Sequence, residues 1–502
     1  MPRADLPPCI SLPTALQITM HVAAILQRQE FLLKLARALM MFGAPTHRIE
    51  TQIQQTARVL EINCRCIYLP NLMLLAFGDD ATHTSETKFI KQAGGLDLTK
   101  LTDMHAIYWN VIHDKVGVAE ASQQLDELMR RKPVIGLWPM CIIGGFCSAF
   151  ICVGSMGFNG SLLDALAAFP LGVFLVFCQS VITTELFSNV FEIVFAAINS
   201  FVASALASTE YFCYAAVVSG SIVLILPGFI VLSGSLELQS KNLIAGSVRL
   251  VYAIIYSLFL GFGLSIGSSF WLLFSGSPTS QLTTYGCSSD VVHPPDIWWR
   301  RTVPLYFALL TVPGFSISLS LRNQVKVNRK EFPVMVLIAC AGWACNHFSA
   351  TAQALRGRQD ITSALGSLCV GILANIYGRI FDGRAFVVAV PGESSDVAAS
   401  CICSHPTRHP VPAAVRSLQR RPAQLRQRRR GLERHAQLQL GLPGGAEPRR
   451  GRHRSREWPL CCLAPPCRSQ PAPHQTVGLF AATMLAYIFG GRKIRGGGLF
   501  SF

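Results

Sequence analysis

Five long apolar runs follow one another in the first half of the chain, with only short connectors between them. They span residues 134–154, 162–182, 187–207, 211–232 and 250–274. Each run is close to the roughly 20 residues that a helix needs to cross a hydrocarbon core. Asp164 and Glu192 are the only charged residues in all five. A soluble core in a chain of this size could not bury five such helices, so the pattern indicates a protein that crosses a membrane several times.

The second half of the chain repeats this pattern less completely. Residues 302–321, 332–355 and 361–378 are three further apolar runs, whereas residues 385–392 begin a run that stops after eight residues. Residues 476–491 form a short final run. We therefore expect a polytopic α-helical membrane protein with about ten transmembrane helices in two five-helix repeats, in which the ninth helix is disrupted. An odd number of spans in each repeat favours inverted topology.

Residues 29–132 have the pattern of a soluble α/β domain. Apolar residues at helical spacing predict two helices separated by Gly43-Ala44-Pro45, and strands are expected between residues 62 and 90. Two amphipathic helices are expected over residues 98–113 and 119–131. Residues 1–28 contain several prolines and no long apolar core, so this start is expected to be a flexible, cytosolic segment and not a signal peptide.

Basic residues near the ends of the spans predict the orientation of the chain. Arg130, Arg131 and Lys132 directly precede the first apolar run, which places the α/β domain in the cytoplasm by the positive-inside rule. With ten crossings, fourteen lysines and arginines near span ends fall on the inner side and four on the outer side. Residues 275–301 are then an extramembrane outer loop, and residues 492–502 are a cytosolic tail.

Residues 393–475 differ in composition from the rest of the chain. The 397–475 stretch holds 15 arginines and 3 glutamates, which accounts for +12 of the formal net charge of +16. Because the basicity is confined to one segment, it does not indicate a nucleic-acid partner. We interpret 393–475 as a disordered segment in which a reading-frame or splice error has replaced the ninth helix; the alternative is a genuine disordered basic loop.

Transcript sequencing across codons 385–480 tests this interpretation. We expect reads that leave the present frame in this interval and encode an apolar ninth helix, since the positive-inside count requires one more crossing there. Reads that preserve the present frame throughout would show instead that the basic segment is genuine.

Pro-Gly pairs occupy corresponding places in the two repeats. Pro227-Gly228 lies in the fourth run, and Pro391-Gly392 ends the incomplete run of the second half. Corresponding interruptions in two repeats indicate a transporter's binding region, because a broken helix frees backbone groups to contact a solute. The alternative is that each pair merely kinks its helix.

Polar side chains inside the apolar runs are the other candidates for a substrate or ion site. Glu192 lies in the third run, where a charge costs about 2.5 to 3.5 kcal/mol on insertion scales, and Asn199 lies two helical turns further along the same face. Together they could bind a substrate ammonium group or the coupling proton; the alternative is a hydrogen bond that holds the bundle together. Asn346 and Asn375 are the matching polar residues of the second half, whereas Asp164 is expected to be interfacial.

The 17 cysteines are scattered along the chain and form no recognisable framework. Several, such as Cys141 and Cys213, lie inside apolar runs, where a thiol behaves as a small hydrophobe. We expect neither disulfides nor a metal site, and no cofactor. The chain also has no Gly-x-x-x-x-Gly-Lys motif, so nothing supports ATP-driven pumping.

Three further motifs are residues 43–50 (GAPTHRIE), residues 226–228 (LPG) with residues 233–238 (SGSLEL), and residues 496–500 (GGGLF). With these motifs the chain resembles the threonine/serine exporter family, most closely its fused fungal members, the pheromone-regulated membrane proteins. The resemblance covers roughly residues 29–392 and 476–502. It implies ten helices in two halves, a cytosolic amino-terminal domain, and export of small amino acids such as threonine and serine.

We therefore expect a secondary transporter that exports a small polar amino acid across a lipid bilayer, coupled to protons or another ion. The resemblance also implies a suggested hydrolytic role for the amino-terminal domain, for which His47, Arg48 and Glu50 are candidate catalytic residues; solvated or capping side chains are the alternative. A membrane-anchored hydrolase and a membrane scaffold or sensor that does not transport are thus the other functions to consider.

Overall fold

The structure is a computed structural model of the 502-residue chain. It describes residues 12–79, 83–92, 94–153, 158, 160–182, 185–275, 293–294, 296–353, 355, 358–381 and 385–392. The basic segment 393–475, the final run 476–491 and the tail 492–502 lie outside the described residues, so the tenth helix and the replacement of the ninth stay predictions.

The amino-terminal part of the chain forms a unit that we call the head. Its elements in chain order are α1 (Leu12–Met41), α2 (Thr46–Val59), β1 (Cys64–Leu69), β2 (Leu72–Asp79), β3 (Thr84–Lys91), α3 (Leu98–Ile112) and α4 (Val118–Arg130). The strands form one antiparallel sheet in the order β1-β2-β3, with Cys66 opposite Leu75 and Met73 opposite Ile90. Apart from the amino-terminal part of α1, these observed elements match the expected helices and strands to within a few residues.

One face of the sheet packs on the helices of the head. Met73, Leu75 and Phe77 of β2 are buried, as the alternation of a half-buried strand requires, and they meet Leu35 of α1 and Ile53 of α2 in one core. The same core continues through Leu232, Met335 and the 385–390 residues of the membrane part. The head therefore shares its hydrophobic core with the bundle below it.

Helix α1 begins at Leu12, inside the segment expected to be flexible. Residues 12–28 are helical in the described structure, which corrects the expectation of a flexible segment for this part of the chain.

The rest of the described chain is an all-helical bundle. Its elements are α5 (Leu137–Cys152), α6 (Leu162–Val181), α7 (Glu185–Ala207), α8 (Tyr214–Ile222), α9 (Gly228–Gln239), α10 (Leu243–Ser275), the single turn Leu305–Phe307, α11 (Ala308–Arg322), α12 (Glu331–Thr351) and α13 (Gln359–Ile380). Residues 385–392 are also helical. Within the described residues, six helices are long and apolar enough to cross a membrane, namely α6, α7, α10, α11 together with its preceding turn, α12 and α13.

Two of the expected spans have a different form in the structure. The first is the 16-residue α5, which is apolar but shorter than the run that predicts it. The fourth is divided into α8 and α9, which are separated at residues 223–227. The chain is a multi-pass membrane protein in which one span is broken.

Contacts at the two ends of the bundle show that successive spans alternate in direction. At the head end, the Ile135 amide before α5 donates to Gln324 Oε1 after α11, over 2.9 Å. At the far end, the Cys213 amide before α8 donates to Asp164 Oδ1 at the start of α6, over 2.8 Å. The first span of the first repeat, α5, thus begins at the head end, whereas α11, the first span of the second repeat, begins at the far end. Opposite starting ends are what inverted topology predicts for two repeats.

Two residues at the far end, Asp164 and Cys213, bear on the expectations from the sequence. Asp164 is fully buried and forms a capping box with Ser161, so it holds the start of α6; its interfacial depth stays a prediction. Its carboxylate also lies 3.7 Å from His293 Nε2. Cys213 is disulfide-bonded, which corrects the expectation of an isolated apolar thiol; hydrophobicity alone does not reveal which cysteines a fold brings together.

The head contacts both repeats at the head end of the bundle. The Leu98 amide of α3 donates to Asn323 O over 3.2 Å, and Thr99 Oγ1 donates to Gln324 O over 2.7 Å, both in the turn between α11 and α12. Arg329 of the same turn pairs with Asp103 of α3. On the other side, α2 and β1 contact the turn between α9 and α10, as described below.

Small residues allow α5 and α6 to pack closely. A Cβ at Gly172 would lie 2.2 Å from Ser148 Oγ and 3.0 Å from Gly144 O, and a Cβ at Gly144 would lie 2.3 Å from a Val176 methyl group. This is the packing that membrane helices use when their backbones approach.

Gly172→Ala is expected to lower the free energy of unfolding by about 1 to 3 kcal/mol, since the added methyl group overlaps with Ser148 and with the backbone of α5. The measurement is the thermal unfolding midpoint in detergent. Gly136→Ala is the matched control, because a Cβ there meets nothing within 4 Å. Equal midpoints for the two variants would contradict this account of the packing.

Candidate functional site

Glu192 lies on α7 within the bundle and is half-buried. Its Oε2 accepts a hydrogen bond from the Tyr256 hydroxyl of α10. Its Oε1 accepts one from Gln179 Nε2 of α6, over 3.2 Å. Each carboxylate oxygen is therefore held by a different neighbouring helix, as a charge in apolar surroundings requires.

A cation completes this arrangement from the second repeat. Arg322, the last residue of α11, donates from Nη2 to Gln179 Oε1 over 2.8 Å. The Gln179 amide thus lies between the guanidinium and the Glu192 carboxylate. It donates a hydrogen bond to the carboxylate and accepts one from the guanidinium. We call Gln179, Glu192, Tyr256 and Arg322 the polar cluster.

Asn199, the expected partner of Glu192, is not part of the polar cluster. It is fully buried on α7, and neither its Nδ2 nor its Oδ1 has a hydrogen-bond partner among the described residues. Gly263 and Gly267 of α10 pack against the backbone of α7 near it, with virtual Cβ contacts of 2.8 Å to Ile193 O and 2.1 Å to Ala197 O. Helical spacing shows which residues share a face, whereas the contacts depend on which helix covers that face.

The Pro227-Gly228 pair lies where the fourth span is broken. Pro227 is the N-cap of α9, with φ −78° and ψ 39°, and the Gly228 amide donates to Leu226 O over 2.8 Å. Proline interrupts the helix because it offers no amide for the preceding turn. Buried apolar residues of this connector, such as Ile225, pack near Tyr256.

The second Pro-Gly pair does not interrupt a helix within the described residues. Pro391 and Gly392 are buried at the end of the helical 385–392 segment. A Cβ at Gly392 would lie 2.9 Å from Val370 Cγ1 of α13, so this segment packs closely on α13. The chain that follows lies outside the described residues.

The asparagines of the second repeat differ in their surroundings. Asn375 of α13 is buried and its Nδ2 donates to Gly371 O of its own helix, over 2.9 Å. Asn346 is half-buried on α12, where Trp343 and His347 stack with their ring centroids 5.0 Å apart. The bond of Asn375 to its own helix favours a local role for it.

Two of the three candidate residues of the head, Arg48 and Glu50, have described side chains. Glu50 Oε1 accepts the Tyr68 amide over 3.2 Å, and the carboxylate also accepts from Asn242 in the turn between α9 and α10. Arg48 lines a small cleft with Gln52, His105 and Phe386. His47 lies in α2, but its side chain is outside the described residues.

A second buried carboxylate, which sequence reasoning missed, connects the head to the broken span. Glu237 of α9 is 0% exposed, and its Oε1 accepts from the Thr46 hydroxyl, from the Thr46 amide over 3.4 Å, and from Arg249 Nη1 over 2.8 Å. Its Oε2 has no hydrogen-bond partner among the described residues. Since the N-cap residue Pro45 provides no side-chain acceptor, Glu237 supplies the negative charge at the amino end of α2.

Helix α10 contacts both Glu237 and Glu192. Arg249 binds Glu237 and also donates to the Tyr68 hydroxyl over 3.0 Å, while Tyr256, seven residues further along, binds Glu192. Residues seven apart lie on the same helical face, and Tyr252 stacks on Tyr256 between them at 6.0 Å. One face of α10 therefore runs from the head contact to the polar cluster.

No group of three or more His, Cys, Asp or Glu in the described residues is arranged to hold a metal ion. The polar cluster instead offers one anion, one cation and two hydrogen-bonding groups. Such a set suits an organic zwitterion or a proton better than a divalent metal ion, which prefers several oxygen or nitrogen ligands.

Comparison with known proteins places this helical arrangement in a family. Residues 30–271 match the family model described as "Putative threonine/serine exporter". This part of the chain belongs to the threonine/serine exporter family. The match covers the head and the first repeat almost to the end of α10, and so includes Glu192, Glu237, Arg249 and Tyr256. No solved structure matches the chain.

Curated relatives extend the similarity into the second repeat. The chain is 41% identical over 381 residues to Pheromone-regulated membrane protein 10 of Debaryomyces hansenii, which covers 75% of this chain and 36% of the relative. It is 39% identical over 380 residues to the protein of the same name from Eremothecium gossypii, covering 75% of this chain and 48% of that relative. The chain thus spans about a third to a half of the length of these relatives.

The surroundings of Glu50 predict that the stability of the fold depends on pH. Burial raises the pKa of the Glu50 carboxyl, and the nearby Glu237 charge raises it further, against the hydrogen bonds from Tyr68 and Asn242. A raised carboxyl pKa gives stability that is fully present below the ordinary value of about 4.3 and is lost as the pH rises through the folded-state value.

Glu50→Gln, which stays neutral, is therefore expected to raise the thermal unfolding midpoint relative to the native chain at pH 7 but not near pH 4. The exposed Glu61 of the head is the matched control, and Glu61→Gln should shift the midpoint equally at both pH values. A midpoint difference for Glu50→Gln that does not change between the two pH values would contradict the assignment.

Proposed function

We propose that the protein is a secondary transporter that exports small polar amino acids of the threonine and serine type, coupled to a proton or another ion. Membership of residues 30–271 in the exporter family supports transport. The polar cluster supports an amino-acid substrate, because it offers an anion for the ammonium group within an apolar bundle. The inverted direction of the repeats is also typical of secondary transporters.

The observation on which the proposal rests is the position of Glu192. Its carboxylate lies inside a membrane span and is held by Tyr256 and Gln179, with no direct ion pair among the described residues. A charge in such a place costs free energy on insertion, so intramembrane carboxylates generally mark a functional site. A carboxylate that is satisfied only by neutral groups can accept either a substrate ammonium or a proton.

The two alternative ligands of Glu192, a proton and an ammonium group, provide a means of coupling proton movement to amino-acid export. When Glu192 binds a proton it becomes neutral and no longer attracts an ammonium group, so the proton and the amino acid compete for one carboxylate. A gradient of protons in one direction would then drive the amino acid in the other. Tyr256 remains hydrogen-bonded to the carboxyl group in both states, since a hydroxyl can donate or accept.

The proposal places the head in the cytoplasm, as the positive-inside distribution predicts. The polar cluster includes Gln179 and Arg322 near the ends of α6 and α11 that face the head. A site nearer to the head end would receive its substrate from the cytoplasmic side, which fits export. In this proposal Glu50 is a structural residue, because its carboxylate accepts from the Tyr68 amide and from Asn242.

The experiment is counterflow of labelled threonine and serine in vesicles that contain the full chain. Glu192→Gln is expected to lower the coupled flux by more than about tenfold while the protein still inserts. The neutral amide can accept from Gln179 and donate to the Tyr256 hydroxyl, but it neither binds a cation nor exchanges a proton. Glu210→Gln is the matched control, since Glu210 is exposed at the far end and its carbonyl, not its carboxylate, accepts from Arg300. Native flux in Glu192→Gln would remove Glu192 from the mechanism.

A further inference from the structure

The way in which Glu192 and Arg322 meet is unusual for two opposite charges in a bundle. They form no direct ion pair among the described residues, and the Gln179 side chain lies between them instead. Attraction between unlike charges is strong in low-dielectric surroundings, so a direct pair would be the simplest arrangement. The neutral amide keeps the two charges apart and satisfies one hydrogen bond of each.

The amide of Gln179 presents its polar atoms in a defined order. Its Nε2 donates to the carboxylate over 3.2 Å and its Oε1 accepts from the guanidinium over 2.8 Å, with a single carbon between these atoms. An α-amino acid presents the same order, with an ammonium donor and a carboxylate acceptor joined through the α-carbon. The zwitterion has full charges in place of the partial charges of the amide, and charge-assisted bonds are roughly twice as strong as neutral ones.

We propose that Gln179 occupies the place of a zwitterionic ligand between Glu192 and Arg322, and that Arg322 binds the carboxylate of that ligand. The proposal takes its class of ligand from the proposed function and adds two residues to it. An arriving amino acid displaces the Gln179 amide, gives its ammonium group to Glu192 and receives hydrogen bonds from the planar guanidinium, which matches carboxylate geometry.

The position of Gln179 allows such a displacement. It lies two residues before the end of α6, and its long side chain is half-buried and not enclosed in the core. Its backbone therefore does not have to move when the side chain rotates away. The neighbouring Ser180 bonds to its own helix, from Oγ to Val176 O over 2.7 Å, and so makes no contact with the two charges through its hydroxyl.

The positions of Glu192 and Arg322 also determine which ligands the site would select. A ligand with only an ammonium group leaves Arg322 without an acceptor, and one with only a carboxylate leaves Glu192 without a donor. Each such ligand would leave a polar group unpaired in apolar surroundings, which disfavours it. Because Glu192 belongs to the first repeat and Arg322 to the second, a bound zwitterion would join the two repeats, as Gln179 does in the free protein.

The test measures binding to the purified full chain in detergent and does not require transport. The probes are labelled serine, serinamide, which lacks the carboxylate, and 3-hydroxypropionate, which lacks the ammonium group. In the native chain we expect serine to bind at least about tenfold more tightly than either analogue. Equal binding of the three probes would overturn the proposal.

Variants separate the roles of the two residues. Gln179→Ala removes the competing amide and is expected to lower the dissociation constant for serine by roughly tenfold, whereas the control Ser180→Ala leaves it unchanged. Arg322→Met is expected to bind serine and serinamide equally, and Arg322→Lys to keep part of the preference for serine. If Arg322→Met does not fold, the comparison of Arg322→Lys with the native chain still decides the outcome.

The results also distinguish this proposal from the proposed function. A preference for serine that depends on Arg322, without any counterflow, would support the binding site and contradict transport. Counterflow that depends on Glu192, with serine binding unchanged in Gln179→Ala and Arg322→Lys, would support transport and overturn the role assigned here to Gln179 and Arg322.

Discussion

The structure depends on the requirement that a charge inside an apolar bundle be satisfied by groups from neighbouring helices. Glu192 is satisfied from α6 and α10, and Glu237 is satisfied from α10 and from the head. Asp164, at the far end, is satisfied by the backbone of its own helix start and by the Cys213 amide. Three carboxylates thus connect elements that are distant in sequence, and each replaces water with a small set of defined donors. Apolar packing alone would hold the same helices together without specifying these positions.

Helix α10 has a central place in this arrangement because it supplies donors to two of the three carboxylates. Arg249 near its start binds Glu237, and Tyr256, two turns further along the same face, binds Glu192. Its glycines at 263 and 267 allow close contact with α7, so the part of the helix beyond the polar cluster is held by backbone packing. A rotation or shift of α10 would therefore alter the head contact and the polar cluster at the same time, whereas a change confined to one side chain would not.

Much of this architecture could be predicted from the sequence, because apolar run length and helical spacing are local properties. The spans, the head, the broken fourth span and the placement of Glu192 in the bundle follow from them. The partners of Glu192 do not, since Gln179 and Tyr256 reach it from other helices and no periodicity on α7 identifies those helices. In the sequence, Arg322 was recognised only as a basic residue near a span end, and Glu237 only as part of a motif. A glutamate ten residues after a helix-breaking proline was nevertheless a signal for a second charged residue near the broken span. The helix at residues 12–28 was missed because the prolines of residues 1–28 were interpreted as the sign of a flexible segment.

The shared contacts of the head with both repeats have a mechanical consequence. The head binds the turn between α9 and α10 through the side chains of Glu237, Arg249 and Glu50, and it binds the turn between α11 and α12 partly through backbone groups. If the two repeats separate at the head end, one of these two sets of contacts has to break. If they separate at the far end, both sets of contacts stay in place. The head therefore restrains both repeats at the same end of the bundle, and opening of the opposite end would leave that restraint in place.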